Sequence, residues 1–193
     1  AKSIQSAGAD GIELNISLMP NSPDVSPRTI EKQTVEIVHK VSTKVDIPIS
    51  VKIGPYYTAL LPIVNELYQA GASGLVLFNR FYQPDVDIED MSLVSRYQFS
   101  SPSENYNTLR WLGLLYENID ADLIATTGIH SSTDFIKQLL AGAGSVQICS
   151  TLFLNGLERI AEMQEGLRSW MEHHGFDSIE EFRGKASQKY SDK

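Results

Sequence analysis

AGASGLVLFN, residues 70–79, joins a glycine suited to the left-handed end of a helix to a run of aliphatic and β-branched side chains. It reads as a helix handing over to a buried strand. The same turn recurs as AGADGIEL at 7–14 and as AGAGSVQI at 141–148. One βα unit takes roughly 30 residues or more, so about two units separate each copy from the next. Helix and strand therefore alternate along the chain.

With the intervening units filled in, strands are expected near 11–16, 47–53, 74–78, 123–126 and 145–149. Their near-continuous apolar character fits parallel strands buried on both faces. Ser26-Pro27 and Ser131 to Asp134 supply capped helix starts. From 155 to 174, Leu157, Ile160, Ala161, Leu167, Trp170 and Met171 follow the helical period and predict a long amphipathic closing helix.

Alternating units suit either an open doubly wound sheet or a closed barrel. The dinucleotide fingerprint G-x-G-x-x-G after a strand is missing, and Gly142-Ala143-Gly144, the nearest match, precedes its strand. Near-identical helix-to-strand turns suit a barrel, where every unit has an equivalent place. The expected fold is α/β, a TIM (β/α)8 barrel of which residues 1–193 carry about strands 4 to 8 in a single domain. The opening AKSIQSAGADG, without an initiator Met, predicts that the first three strands lie upstream.

Composition narrows the partners. The 193 residues carry 16 Lys plus Arg against 24 Asp plus Glu, a net charge of −8. An acidic balance without a basic block argues against nucleic acid, and no apolar run approaches the roughly 20 residues of a membrane span. The single Cys149 forms no internal disulfide, so a cytoplasmic location is expected.

In a barrel, polar side chains at the C-terminal ends of strands face a common mouth. Lys52, in the otherwise apolar SVKIGPYY, must pair with an anion or meet a cofactor, because a buried unpaired ammonium is costly. Asn15 and Asn79 suit an amide-rich ligand or a turn. ATTGIHSSTD, 125–134, puts a glycine-containing strand end before a helix whose N–H groups make an anion site, and Cys149 to Thr151 form a partner turn. Ordinary capping explains Ser131 but not Thr127 or Gly128. His130 has no companions at metal-ligand spacing, so no metal is expected. Between Phe78 and Asn105 the connection far exceeds the usual loop of roughly 2–6 residues; this inserted segment, near 80–105, reads as a lid, a contact surface or a small added hairpin.

Several blocks together resemble the dihydroorotate dehydrogenase family, soluble class. IELNISLMPN resembles its N-x-S-C-P-N, SVKIGPYY its V-K-L-P-P-Y, and ATTGIHSSTDFIKQLLAGAGSVQICSTLF its T-G-G-I with the downstream G-A-x-x-V-Q-I-G-T; the tail GFDSIEEFRGKA is similar to the ending of that class. The resemblance implies FMN, dihydroorotate as a small-molecule substrate in pyrimidine biosynthesis, a soluble electron acceptor such as fumarate, and a homodimer. Carried onto matching positions, Lys52 sits at the flavin's pyrimidine edge and Asn15 bridges flavin and substrate. Asn21 and Asn79 hold substrate, and Thr127, Gly128, Cys149 and Ser150 bind phosphate. Leu18 and Met19 stand where the family carries its Cys or Ser base, which leaves Ser17 as the nearby hydroxyl and candidate base. Where the family reads N-S-I-G-N-G, this chain reads NRFYQPDVD from Asn79, with Arg80 in place of a small Ser. A related cyclic amide as substrate, a Schiff-base lyase using Lys52, and a non-catalytic binding module are the competing readings.

Overall fold

All five expected strands form in a computed structural model of the protein, which describes residues 1–20, 22–95 and 98–188. Helix α1 (Lys2–Ser6) leads into β1 (Ile12–Asn15), α2 (Pro27–Ser42) into β2 (Ile49–Ile53), and α3 (Leu60–Gln69) into β3 (Gly74–Leu77). A hairpin, β4 (Pro84–Asp87) and β5 (Ser92–Ser95), precedes α4 (Asn105–Leu115) and β6 (Asp122–Thr126). Then come α5 (Ser132–Ala141), β7 (Ser145–Gln147), α6 (Ser150–Asn155) and α7 (Arg159–His174).

The repeated turn behaves as its sequence demands. Gly8, Gly71 and Gly142 have φ of 94°, 105° and 120°, where a side chain is strained. At Gly142 a Cβ would also come within 2.5 Å of the Tyr116 ring, so helix, turn and strand can pack this closely only around glycine. The caps form too. Ser26 Oγ accepts the Thr29 N–H at 3.2 Å with Pro27 at the first helical position, and Ser131 Oγ accepts the Asp134 N–H at 3.1 Å.

The five strands make one parallel sheet in the order β1-β2-β3-β6-β7. Each crossover moves one place in the same direction, with no reversal of order. Right-handed crossovers in a constant direction put every connecting helix on the same face. That face is apolar: Ile12, Val51, Ile53, Leu75, Leu77 and Ala125 pack against Val38 of α2, Leu60, Ile63, Val64 and Leu67 of α3, and Leu112 and Leu115 of α4. The strand register places Glu13, Asn15, Lys52, Val76, Thr126 and Gln147 on the other face. Burial on both faces therefore holds along the whole of β3, all of whose residues are buried, and at the Ala125–Thr126 end of β6. In β1, β2 and β7 polar residues alternate with apolar ones.

The sheet is strongly curled. Strands about 4.8 Å apart would put β1 and β7 roughly 19 Å from each other in a flat sheet. Yet Gln147 on β7 donates from Nε2 to Glu13 Oε2 on β1 at 2.5 Å, and neither side chain spans half the flat distance. The polar face is the concave one.

One expectation needs correction, and one of the alternatives for the inserted segment forms. The closing helix starts later than expected: α6 ends at Asn155, Gly156 follows with φ 85°, and α7 runs unbroken from Arg159 to His174. Leu157 and Ile160, counted into its apolar stripe, are 71% and 42% exposed, while Met163 and Leu167 are buried. The segment after Asn79 contains the antiparallel β4–β5 hairpin, with Asp87 Oδ1 accepting the N–H groups of Glu89 and Asp90 in its turn. No helix among the described residues is long and apolar enough to cross a membrane.

Candidate active site

A cavity of about 210 Å³ opens at the C-terminal ends of the strands, and Lys52, Asn79, Thr127, Gly128, Cys149 and Ser150 all line it. These residues come from the ends of β2, β3, β6 and β7, so parallel register alone brings them to one rim. Sequence separation is no guide to this proximity: Lys52 and Gln147 are also neighbours there.

Lys52 lies on the concave face with its side chain 19% exposed. Its Nζ donates to Gln147 Oε1 at 3.1 Å and is 3.8 Å from Glu13 Oε1, and Gln147 closes the triangle by donating to Glu13. The anion that the lysine requires is thus provided by the fold. Glu13 and Gln147 were not singled out from the sequence. The signal was present: they fill the same place in AGADGIEL and AGAGSVQI, where the middle copy has Val76, and each interrupts an apolar strand as Lys52 does.

Asn79 follows β3, where its N–H donates to Ile53 O at 2.7 Å. Its side-chain Nδ2 donates to Asn15 Oδ1 at 2.5 Å, so the two amides expected at the mouth are joined. Ser17 is exposed in the loop after β1 and is not among the residues lining the cavity. Asn21 lies outside the described residues.

Thr127 and Gly128, also on the cavity wall, both have positive φ, 74° and 75°. Both have structural reasons for being there. Thr127 Oγ1 donates to Phe78 O at 3.3 Å, and a Cβ on Gly128 would come within 2.5 Å of Asn105 N. At the start of α5 the Asp134 N–H, and just before it the His130 N–H, are already taken within the chain. Asp134 is buried, and its Oδ2 accepts from the His130 N–H and the Ser131 hydroxyl; the Asp134 N–H is taken by Ser131. A carboxylate so placed supplies the negative charge that a helix N-terminus attracts. What remains open toward the cavity is the Thr127–Gly128 turn together with Cys149, which is exposed, and Ser150.

Arg80 also lines the cavity. Its Nε donates to Glu104 Oε2 at 2.8 Å, its NH2 to Glu104 Oε1 at 3.4 Å, and its NH1 to the Gln98 carbonyl. Burial raises the Glu104 carboxyl pKa, but bonds from Arg80 and the Ser101 N–H, with the charges of Arg80 and His130, outweigh it and hold the group below its usual range. Phe81 stacks on Tyr56 at 5.1 Å and lies over Gly54. No group of three or more His, Cys, Asp or Glu side chains among the described residues is placed to hold a metal ion.

Residues 1–171 match the family described as dihydroorotate dehydrogenase. Among curated relatives, the dihydroorotate dehydrogenase B (NAD(+)) catalytic subunit of Methanothermobacter thermautotrophicus is 29% identical over 185 residues, covering 92% of this chain and 61% of the relative. The protein of the same name from Alkaliphilus metalliredigens is 29% identical over 192 residues, 95% of this chain and 62% of the relative. That from Methanocaldococcus jannaschii is 28% identical over 191 residues, 92% and 59%. The chain thus spans about three-fifths of the length of these relatives.

Proposed function

Because the chain belongs to the dihydroorotate dehydrogenase family, we propose that it forms one side of an FMN-dependent oxidoreductase that converts dihydroorotate to orotate. The observation that carries this reading is the shared cavity, lined by Lys52 together with the 127–128 and 149–150 turns. The curled sheet is read as an arc of a (β/α)8 barrel, strands 4 to 8, within one domain. Its single direction of crossover and the Glu13–Gln147 bond across its concave face support that reading.

The lining suits the cofactor. The Lys52 ammonium, hydroxyl groups and backbone groups line the cavity with Arg80, which is held by Glu104, and no acidic side chain of the described residues does. That is a donor set for an anionic tail and an electron-rich ring edge. The volume of about 210 Å³ is below the roughly 300–1,000 Å³ of complete small-molecule sites, which fits residues holding part of a larger ligand.

When bound, FMN supplies the hydride acceptor. Lys52 sets a positive charge where negative charge develops, and Gln147 and Glu13 hold that ammonium in place. Asn15 bridges flavin and substrate, and Asn21 and Asn79 hold the substrate's amide and carboxylate groups. Thr127, Gly128, Cys149 and Ser150 take the phosphate. Ser17 receives the ring proton in this scheme. The reading includes a cytoplasmic homodimer and a soluble electron acceptor; the relatives' names carry NAD(+), which favours it over fumarate.

A second reading, another cyclic amide as substrate, is favoured by the exposed position of Ser17 away from the cavity lining and by Leu18 and Met19 in the base's place. Schiff-base chemistry at Lys52 is disfavoured, because it needs a free amine and this one is engaged by Gln147 and Glu13. The test is direct. The protein should take up FMN and turn yellow, and anaerobic dihydroorotate should bleach it. A protein that binds no FMN rejects the reading; a bound flavin that dihydroorotate leaves yellow selects the second substrate.

A further inference from the structure

We propose that Arg80 is a positioning residue: with Glu104 it latches residues 98–104 across the cavity and so sets the wall against which the anionic end of the ligand is held. The inference rests on the cofactor reading above.

Arg80 lines the cavity, and a cation there invites assignment as a ligand group. Its bonding argues otherwise. Each guanidinium nitrogen donates to the 98–104 segment, two to the Glu104 carboxylate and one to the Gln98 carbonyl, so three of its five N–H groups are committed there. The fork that meets both carboxylate oxygens is particular to arginine. Neither partner is well solvated, the side chains being 27% and 30% exposed, so the pair is held more firmly than a surface bridge.

Glu104 passes the constraint on. Its Oε1 accepts the Ser101 N–H at 2.7 Å, closing a capping box with Ser101. The neighbouring Ser100 lines the cavity, donates its N–H to Ser150 Oγ at 3.0 Å and has its own Oγ 3.1 Å from His130 Nε2. The same segment is seated on the other turn: a Cβ on Gly128 would come within 2.9 Å of the Ser101 carbonyl oxygen. One arginine at the end of β3 therefore fastens a segment that touches both the 127–128 and the 149–150 turns.

The experiment measures FMN binding by fluorescence quenching, and hydrogen exchange of peptides covering 98–104 and 49–53, for the full chain and for R80S, R80K, E104Q and R80S/E104Q. R80S and E104Q should each weaken FMN binding about tenfold, the scale of a lost charge-assisted bond. The double variant should be no worse than either single, since one latch is broken in each case. R80K should fall between. Exchange at 98–104 should quicken while 49–53 stays unchanged, a separation that general destabilisation would not give. FMN binding by R80S equal to that of the wild type, or single effects that add in the double variant, would overturn the proposal. A wild-type protein that takes up no FMN would instead overturn the cofactor reading, and unchanged exchange at 98–104 in R80S would overturn the latch independently of any ligand.

Discussion

Glu13 and Gln147 lie on the two outermost strands of the sheet, and their side chains are hydrogen-bonded to each other. A link between opposite edges exists only because the sheet is rolled. It places a carboxylate and an amide around Lys52, on a strand between them. Charge and curvature meet at this one point.

Replacing Lys52 by Ala should leave FMN bound but slow flavin reduction by about 10²–10³-fold, the usual effect of removing a group that stabilises developing charge. Anaerobic stopped-flow bleaching measures it. A reduction rate within threefold of wild type would remove Lys52 from the chemistry.

Gln147→Leu keeps the volume but deletes the bonds to Lys52 and Glu13. A cost of about 1–2 kcal/mol is expected, discounted for partial exposure of the charged partners. Urea unfolding checks this, and a variant as stable as wild type would show that the triangle contributes no net stability.

Gly128→Ala and Gly175→Ala form a matched pair. Their φ angles are 75° and 72°, but a Cβ at Gly128 meets Asn105 N at 2.5 Å, whereas nothing lies within 4 Å of one at Gly175. Gly175→Ala should cost about 1–2 kcal/mol, the strain of the left-handed conformation alone. Gly128→Ala should cost clearly more and weaken ligand binding. Thermal melts of both should separate strain from collision; equal melting temperatures would contradict the close packing at Gly128.

Acid should open the Arg80–Glu104 pair. The folded Glu104 pKa is depressed, so between it and the unfolded value near 4.5 the unfolded chain binds more protons. The pair's stabilisation is therefore complete above the unfolded value and lost as pH falls through the folded one. Glu104→Gln should flatten the acid limb of a stability–pH curve below about pH 4.5 and leave its slope at neutral pH unchanged. An acid limb as steep as that of wild type would assign the loss to other carboxylates.

Local chemistry was legible in the sequence because local rules govern it. The glycines of the three repeated turns, the Ser26 and Ser131 caps and the five strands depend on residues a few places apart, and each forms as read. The closing helix failed where periodicity was followed through Gly156. The strand-end residues that line the cavity were also accessible, since parallel strands deliver their C-terminal ends to one rim whatever the loops do.

Arg80's partner was not accessible in the same way, because the chain between it and Glu104 forms a hairpin whose return path no local rule specifies. Nor could spacing pair Glu13 with Gln147, at opposite edges of the sheet. The sequence alone determined which segments are helix and strand and which of their ends carry polar side chains, since those follow from dihedral preference and apolar period. Tertiary structure decided which of those side chains meet, because a sheet's twist and closure, summed over five strands, set distances that no single segment contains.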